Sequence, residues 1–178
     1  YYVTDPNYIL CSKPSEPAEY GPRMVSDVSA LLDHLGVESA DVIGYSMGAV
    51  IAARLALDEP QRVRTVTLVA GPFFRDSATF ARVVRPSLDS LATGHGLGPF
   101  FRWSLPTGTD SAAGSLVPMI AKGNDHRALV ASMRSLGALM PDPDRVGRTR
   151  VPAFLIVSKA GRVAASSRYL AGLWPGAT

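Results

Sequence analysis

The sequence predicts an α/β fold with a mostly parallel sheet and flanking helices, on three observations. Short apolar runs rich in β-branched residues, at 41–45 and 63–70, flank a helix-length apolar stretch at 47–57, which makes a strand–helix–strand unit. A third run, VPAFLIV at 151–157, brings the sheet back near the end of the chain. Forty-seven per cent of the 178 residues are apolar and 19% charged, a balance that fills a sizeable core and excludes a disordered polar tail.

The first helix opens at Gly21-Pro22, where proline suits the first turn. It carries Met24, Val28, Leu31, Leu32 and Leu35 at i, i+4, i+7, i+8 and i+11, and Gly36 closes it. The run at 41–45 is too short for a helix and is bounded by serine and glycine, so it reads as a buried strand. Residues 47–57, rich in Ala, Leu and Ile and stopped by Pro60, form a helix buried on most faces. The strand at 63–70 ends at Gly71-Pro72. Beyond it the texture changes: Gly94, Gly96, Gly98, Pro99, Pro106, Gly108 and Gly114 interrupt apolar pieces, with helices expected at 80–91, 116–122 and 128–139. This is read as an inserted helical lid. The strand at 151–157 and a helix at 164–173 complete one structural domain, whose core comprises residues 1–72 and 145–178 with the lid at 73–144. No internal repeat is visible.

Charge narrows the function classes little. The net charge is +3, from fifteen Arg and three Lys against fifteen acids, and the one local concentration, Arg145, Arg148 and Arg150, lies beside Asp142 and Asp144. That is a solvated loop, not a nucleic-acid surface. The longest apolar stretches, 49–53 and 151–157, fall short of the roughly 18 residues a membrane span needs. A single cysteine, Cys11, forms no internal disulfide, and no Cys/His cluster exists to hold a metal. It is expected to stay a reduced thiol in a cytoplasmic protein. Nothing in the sequence signals an oligomeric state.

Chemistry points to Gly44-Tyr45-Ser46-Met47-Gly48, placed where a strand turns directly into a helix. That context gives the G-x-S-x-G pattern its meaning. So tight a turn strains its central residue, and the two glycines are expected to keep side chains out of the strand–helix approach. Ser46 would stand at the top of the sheet as nucleophile. The Met47 backbone N–H, at the helix N-terminus, would face a developing oxyanion. A serine that merely caps the helix is the competing reading.

On these residues the chain resembles the α/β-hydrolase superfamily, the lipase, esterase, iminopeptidase and cofactor-free haloperoxidase-like group, over nearly its whole length. LLDHLG at 31–36, the elbow, and PQRVRTVTL at 60–68 are similar to the family's helix, nucleophile and next strand, in order. VPAFLIV at 151–157 is similar to the strand before the catalytic acid. Residues 5–14 resemble the loop D-x-R-G-x-G-x-S-x-x-P, with Asn7, Tyr8 and Leu10 replacing its Arg and glycines. The resemblance implies a partial α/β-hydrolase fold and a serine hydrolase acting, without cofactor or metal, on a small-molecule ester or related acyl substrate.

It also implies parts that are not found. The acid is expected nine residues past Pro152, where Gly161 stands, and no carboxylate occurs from Val146 onward. The histidine is expected after one further strand, about where the sequence stops, and the second oxyanion donor and an intervening strand are expected before Tyr1. The chain therefore reads as incomplete at both ends. His34, His95 and His126 read as a helix-surface residue, a turn residue and a helix-start residue. Asp76 is a candidate substitute for the acid, since some relatives carry theirs after the strand that follows the elbow, and a lid-surface carboxylate is the competing reading. Phe73, Phe74, Phe100, Phe101, Trp103 and Met119 are candidates for an apolar substrate wall, with core or lid packing as the competing reading of each. A non-catalytic relative that binds a small apolar ligand or a protein partner, and a decayed gene product, stay open beside the hydrolase.

Overall fold

A computed structural model of the protein describes residues 15–105, 125–159 and 161–178. Among them the sheet has three parallel strands, β1 (Ala40–Tyr45), β2 (Val63–Val69) and β3 (Ala153–Ile156), in the spatial order β1-β2-β3. Helix α1 (Pro22–His34) precedes β1, and α2 (Met47–Asp58) joins β1 to β2. Between β2 and β3 come α3 (Ser77–Ala92), α4 (Gly98–Ser104), α5 (His126–Leu139) and α6 (Pro143–Val146), with α7 (Arg162–Leu173) last. The expected loop at 5–14, Cys11, the expected helix at 116–122 and Met119 lie outside the described residues.

The core forms where α2 lies on the sheet. Ala49, Val50, Ala52, Ala53, Leu55, Ala56 and Leu57 are buried, as are Val66, Leu68 and Ala153 on the strands beneath. Alanines on the contact face let the helix axis approach closely, which explains burial around most of α2. The helical segment between β2 and β3 is tied to this core from its far end. Arg145 reaches back to Asp58 at 2.7 Å and to the Leu57 carbonyl, and Arg54 donates to the Ala138 carbonyl at 2.7 Å. Arg145 is thus a latch between α6 and α2, not the freely solvated loop residue that charge counting suggested. Asp142 caps α6 by accepting the Asp144 N–H at 2.8 Å.

Two expectations of burial fail for one reason. The register pairs Ile43 with Thr67 and Thr67 with Phe154, then Tyr45 with Val69 and Val69 with Ile156, so these residues share the sheet face opposite α2. Ile43 is 75% exposed and Tyr45 72%, so β1, at the edge of the sheet among the described residues, is half-buried and not buried. Successive side chains alternate between faces, and one face of β1 has a helix on it while the other has none among the described residues. On α1, Met24 and Val28 pack against the core, but Leu31 and Leu35 point outward, beyond the reach of α2.

Helix α4 was not expected, because Gly98 and Pro99 read as punctuation. Proline instead occupies the first turn, where its missing N–H costs nothing. The helix is held by its rings: Trp103 stacks on Phe74 at 5.2 Å and meets Phe100 at 5.8 Å.

Candidate active site

At the end of β1 the chain reverses into α2 with no intervening loop. Ser46 takes φ 53° and ψ −118°, one of two non-glycine residues at positive φ among those described. Such a conformation costs about 1–3 kcal/mol and persists only where the surroundings impose it. Here they do: the Ser46 N–H donates to the Val69 carbonyl at 2.9 Å, continuing the β1–β2 ladder, while its own carbonyl accepts from Ala49 N–H at 3.0 Å as α2 begins.

Gly44 makes the turn possible. A Cβ there would meet the Gly48 carbonyl oxygen, lie 2.5 Å from the Gly48 carbonyl carbon and 2.7 Å from the Ala49 Cα, all backbone and unable to yield. Gly48 is different. A Cβ at Gly48 would meet nothing within 4 Å among the described residues, so steric approach requires one of the two elbow glycines and not both.

The Ser46 side chain makes no capping bond to α2, and among the described residues it has no hydrogen-bond partner. The capping reading loses its contact. The hydroxyl stands half-exposed at the helix N-terminus beside the Met47 N–H, in the arrangement that favours negative charge. The Met47 side chain turns toward α5, where the Ser132 hydroxyl approaches its sulfur at 3.8 Å. An apolar groove of about 580 Å³ opens beside Ser46, walled by Met24 and Val28 of α1, Val42 of β1, and Ile51 and Leu55 of α2.

Sequence reasoning missed this groove and looked for an apolar wall among rings. The structure places those rings elsewhere: Phe73 is buried against Gly71, and Phe74, Phe80, Phe100 and Trp103 pack on one another, with Phe101 edge-on to Phe100 at 6.2 Å. The available signal was the periodic pair Met24 and Val28, which faces the helix after the elbow.

The titratable candidates are dispersed. Asp76 caps α3, its Oδ1 accepting the Thr79 N–H at 2.7 Å, and this bond, with the Thr79 hydroxyl, holds its carboxyl below the usual carboxylate range. His34 is exposed on α1, His95 Nδ1 lies 2.9 Å from the Thr93 hydroxyl, and His126 opens α5. Gly161 caps α7 at φ 106° and ψ 168°, a conformation essentially reserved for glycine, so a carboxylate side chain there would be strained. Among the described residues no group of His, Cys, Asp and Glu is arranged to hold a metal ion, and no helix is long and apolar enough to cross a membrane.

With a strand–Gly-x-Ser-x-Gly–helix turn on a parallel sheet in view, comparison with known proteins is decisive. Residues 2–94, more than half of the chain, match the family described as alpha/beta hydrolase fold. The chain belongs to the α/β-hydrolase fold family. Among curated relatives, this α/β-hydrolase-fold chain is 37% identical over 86 residues to the dihydrolipoyllysine-residue acetyltransferase component of the acetoin cleaving system of Cupriavidus necator, covering 42% of this chain and 23% of that protein. It is 36% identical over 89 residues to a homoserine O-acetyltransferase of Thermus thermophilus, 40% of this chain and 23% of that protein. Among solved structures, the enol-lactonase from Burkholderia xenovorans superposes with a TM-score of 0.71 at 22% identity, covering 92% of this chain and 64% of that one. The chain thus spans less than a quarter of these curated relatives and under two thirds of that structure.

Proposed function

We propose that this chain carries the nucleophile of a serine hydrolase acting on a small ester or related acyl compound. The observation that supports it most is the Ser46 hydroxyl, held at a strained strand–helix turn, half-exposed, and spent on no hydrogen bond among the described residues. In this reading Ser46 Oγ attacks the acyl carbonyl while its proton passes to a base, and the Met47 N–H stabilises the tetrahedral oxyanion. Collapse expels the alcohol, which takes up the proton, and water then releases the acyl group from Ser46. The base is assigned to no residue of this chain, and Asp76 is the one substitute proposed for the orienting acid. The segment at 73–144 acts as the lid, and the groove at Met24, Val28 and Ile51 receives the apolar part of the substrate. The two acetyltransferase relatives favour acyl chemistry at this site, since acetyl transfer also proceeds at an acyl carbon.

Treatment with a fluorophosphonate tests the reading. Stoichiometric labelling of the full-length protein that disappears in Ser46→Ala is the expected result, and a well-folded, full-length protein that stays unlabelled would overturn it. A non-catalytic, ligand-binding relative is the second reading. It is favoured by Gly161, which stands where the family resemblance expects the acid and whose backbone conformation would strain a carboxylate side chain.

A further inference from the structure

The turn after β2, residues 70–74, belongs to no helix or strand, yet Gly71, Pro72, Phe73 and Phe74 are all buried. A buried turn must find partners for its backbone polar groups or lose stability. Here the Ala70 N–H donates to the Ile156 carbonyl at 2.9 Å and the Phe73 N–H to the Gly71 carbonyl at 3.2 Å, and two adjacent hydroxyls on α7 add further partners. Ser167 Oγ, on a residue only 1% exposed, donates to the Gly71 carbonyl at 2.8 Å. Ser166 Oγ accepts the Phe73 N–H at 3.2 Å and directs its own proton to the Val163 carbonyl at 2.9 Å, with the Gly71 carbonyl at 3.3 Å. A third tie lies outside: the Arg75 guanidinium sits over the Tyr169 ring at 5.0 Å.

The same turn adjoins the elbow in two ways. Its first residue, Ala70, is the second non-glycine residue at positive φ, and it follows Val69, whose carbonyl receives the Ser46 N–H at 2.9 Å. Its next residue, Gly71, faces α2: a Cβ added there would meet the Phe73 ring and stand 3.0 Å from the Ala49 Cβ, three residues beyond Ser46. A shift of the turn is therefore a shift of the surface against which the elbow is built.

We infer that Ser166 and Ser167 form a positioning pair that, acting through the β2–α3 turn, fixes the Ser46 elbow in its attacking geometry; this rests on the reading of Ser46 as nucleophile. Neither serine touches substrate. The pair works because strained backbone holds only where packing over-determines it, and a displacement of about 1 Å at a reacting group is enough to cost on the order of a hundredfold in rate.

The experiment compares Ser167→Ala, Ser166→Ala and Ser167→Thr with wild type in three measurements: the second-order rate of fluorophosphonate labelling, the thermal midpoint, and amide hydrogen exchange at 44–50 against α1 as internal control. Ser167→Ala is expected to slow labelling about tenfold or more with full final stoichiometry, to speed exchange at 44–50 relative to α1, and to be rescued substantially by Ser167→Thr, which keeps the hydroxyl. A lowered midpoint with labelling within about twofold of wild type, and exchange at 44–50 no faster than at α1, would overturn the inference. An unlabelled wild type overturns the nucleophile instead. In that case exchange at 44–50 alone decides whether the pair holds the elbow. Ser166→Ala, at a half-buried position, carries the same readouts if Ser167→Ala does not fold.

Discussion

The turns that end β1 and β2 stand side by side, and each holds a non-glycine residue at positive φ, Ser46 at 53° and Ala70 at 50°. Their surroundings differ. The Ala70 turn runs into buried chain whose polar groups are met by Ser166 and Ser167, and its own side chain carries no chemistry. The Ser46 turn runs straight into a helix and leaves a hydroxyl half-exposed with no partner among the described residues. Backbone strain is therefore shared by a turn that serves packing and a turn that presents the proposed nucleophile. What separates them is a polar side chain held in place and left without a hydrogen bond among the described residues.

The largest effect expected is on labelling. Ser46→Ala should reduce the fluorophosphonate rate by on the order of a thousandfold or more, measured by intact-mass spectrometry, while Ala70→Gly keeps full final stoichiometry. Equal labelling of wild type and Ser46→Ala would erase the distinction between the two turns. Next comes the approach of strand to helix. Gly44→Ala should destabilise by about 3 kcal/mol or more in urea unfolding, because the new methyl meets backbone. Gly48→Ala, with open space at its Cβ and better helix propensity, should instead stabilise by about 0.5–1 kcal/mol.

Strain itself should then be measurable at both sites. Ala70→Gly and Ser46→Gly are each expected to raise stability by about 0.5–1 kcal/mol, the relief of a positive φ being partly offset by the greater freedom of glycine in the unfolded chain. Only Ser46→Gly should abolish labelling. The smallest effect concerns Asp76, whose carboxyl is held below its ordinary range by the Thr79 N–H and hydroxyl. A depressed folded value means the stabilisation is complete above the unfolded pKa of about 3.9 and is lost as pH falls through the folded value. Thermal midpoints of wild type and Asp76→Asn should accordingly differ slightly near neutrality and converge in strong acid. A difference that persists at low pH would show that Asp76 acts otherwise than as a charged cap.

Much of the fold is legible in the chain because local rules govern it. Helix α2 is bounded by the elbow at one end and Pro60 at the other, and its alanine-rich run announces close packing on a sheet. Helix α4 is not legible, since Gly98 and Pro99 carry the same letters whether they end an element or begin one, and the packing of Trp103 on Phe74 decides which. The site divides in the same way. Ser46 is visible from five residues and their flanks, whereas the groove beside it gathers Met24, Val42 and Ile51 from three separate elements.

By itself, then, the sequence determined the strand–helix–strand order, the parallel sheet and the serine at the elbow. Each depends on residues close together in the chain, where periodicity, chain stiffness and turn chemistry act. Tertiary structure alone decided that, among the described residues, β1 lies at the sheet edge with Ile43 and Tyr45 exposed, that Gly44 and not Gly48 is sterically required, and that Ser166 and Ser167 hydrogen-bond the turn that follows β2. Those facts depend on atoms brought together from positions as much as 96 residues apart, as Ser167 and Gly71 are, and no local pattern encodes which of many such meetings the folded chain will make.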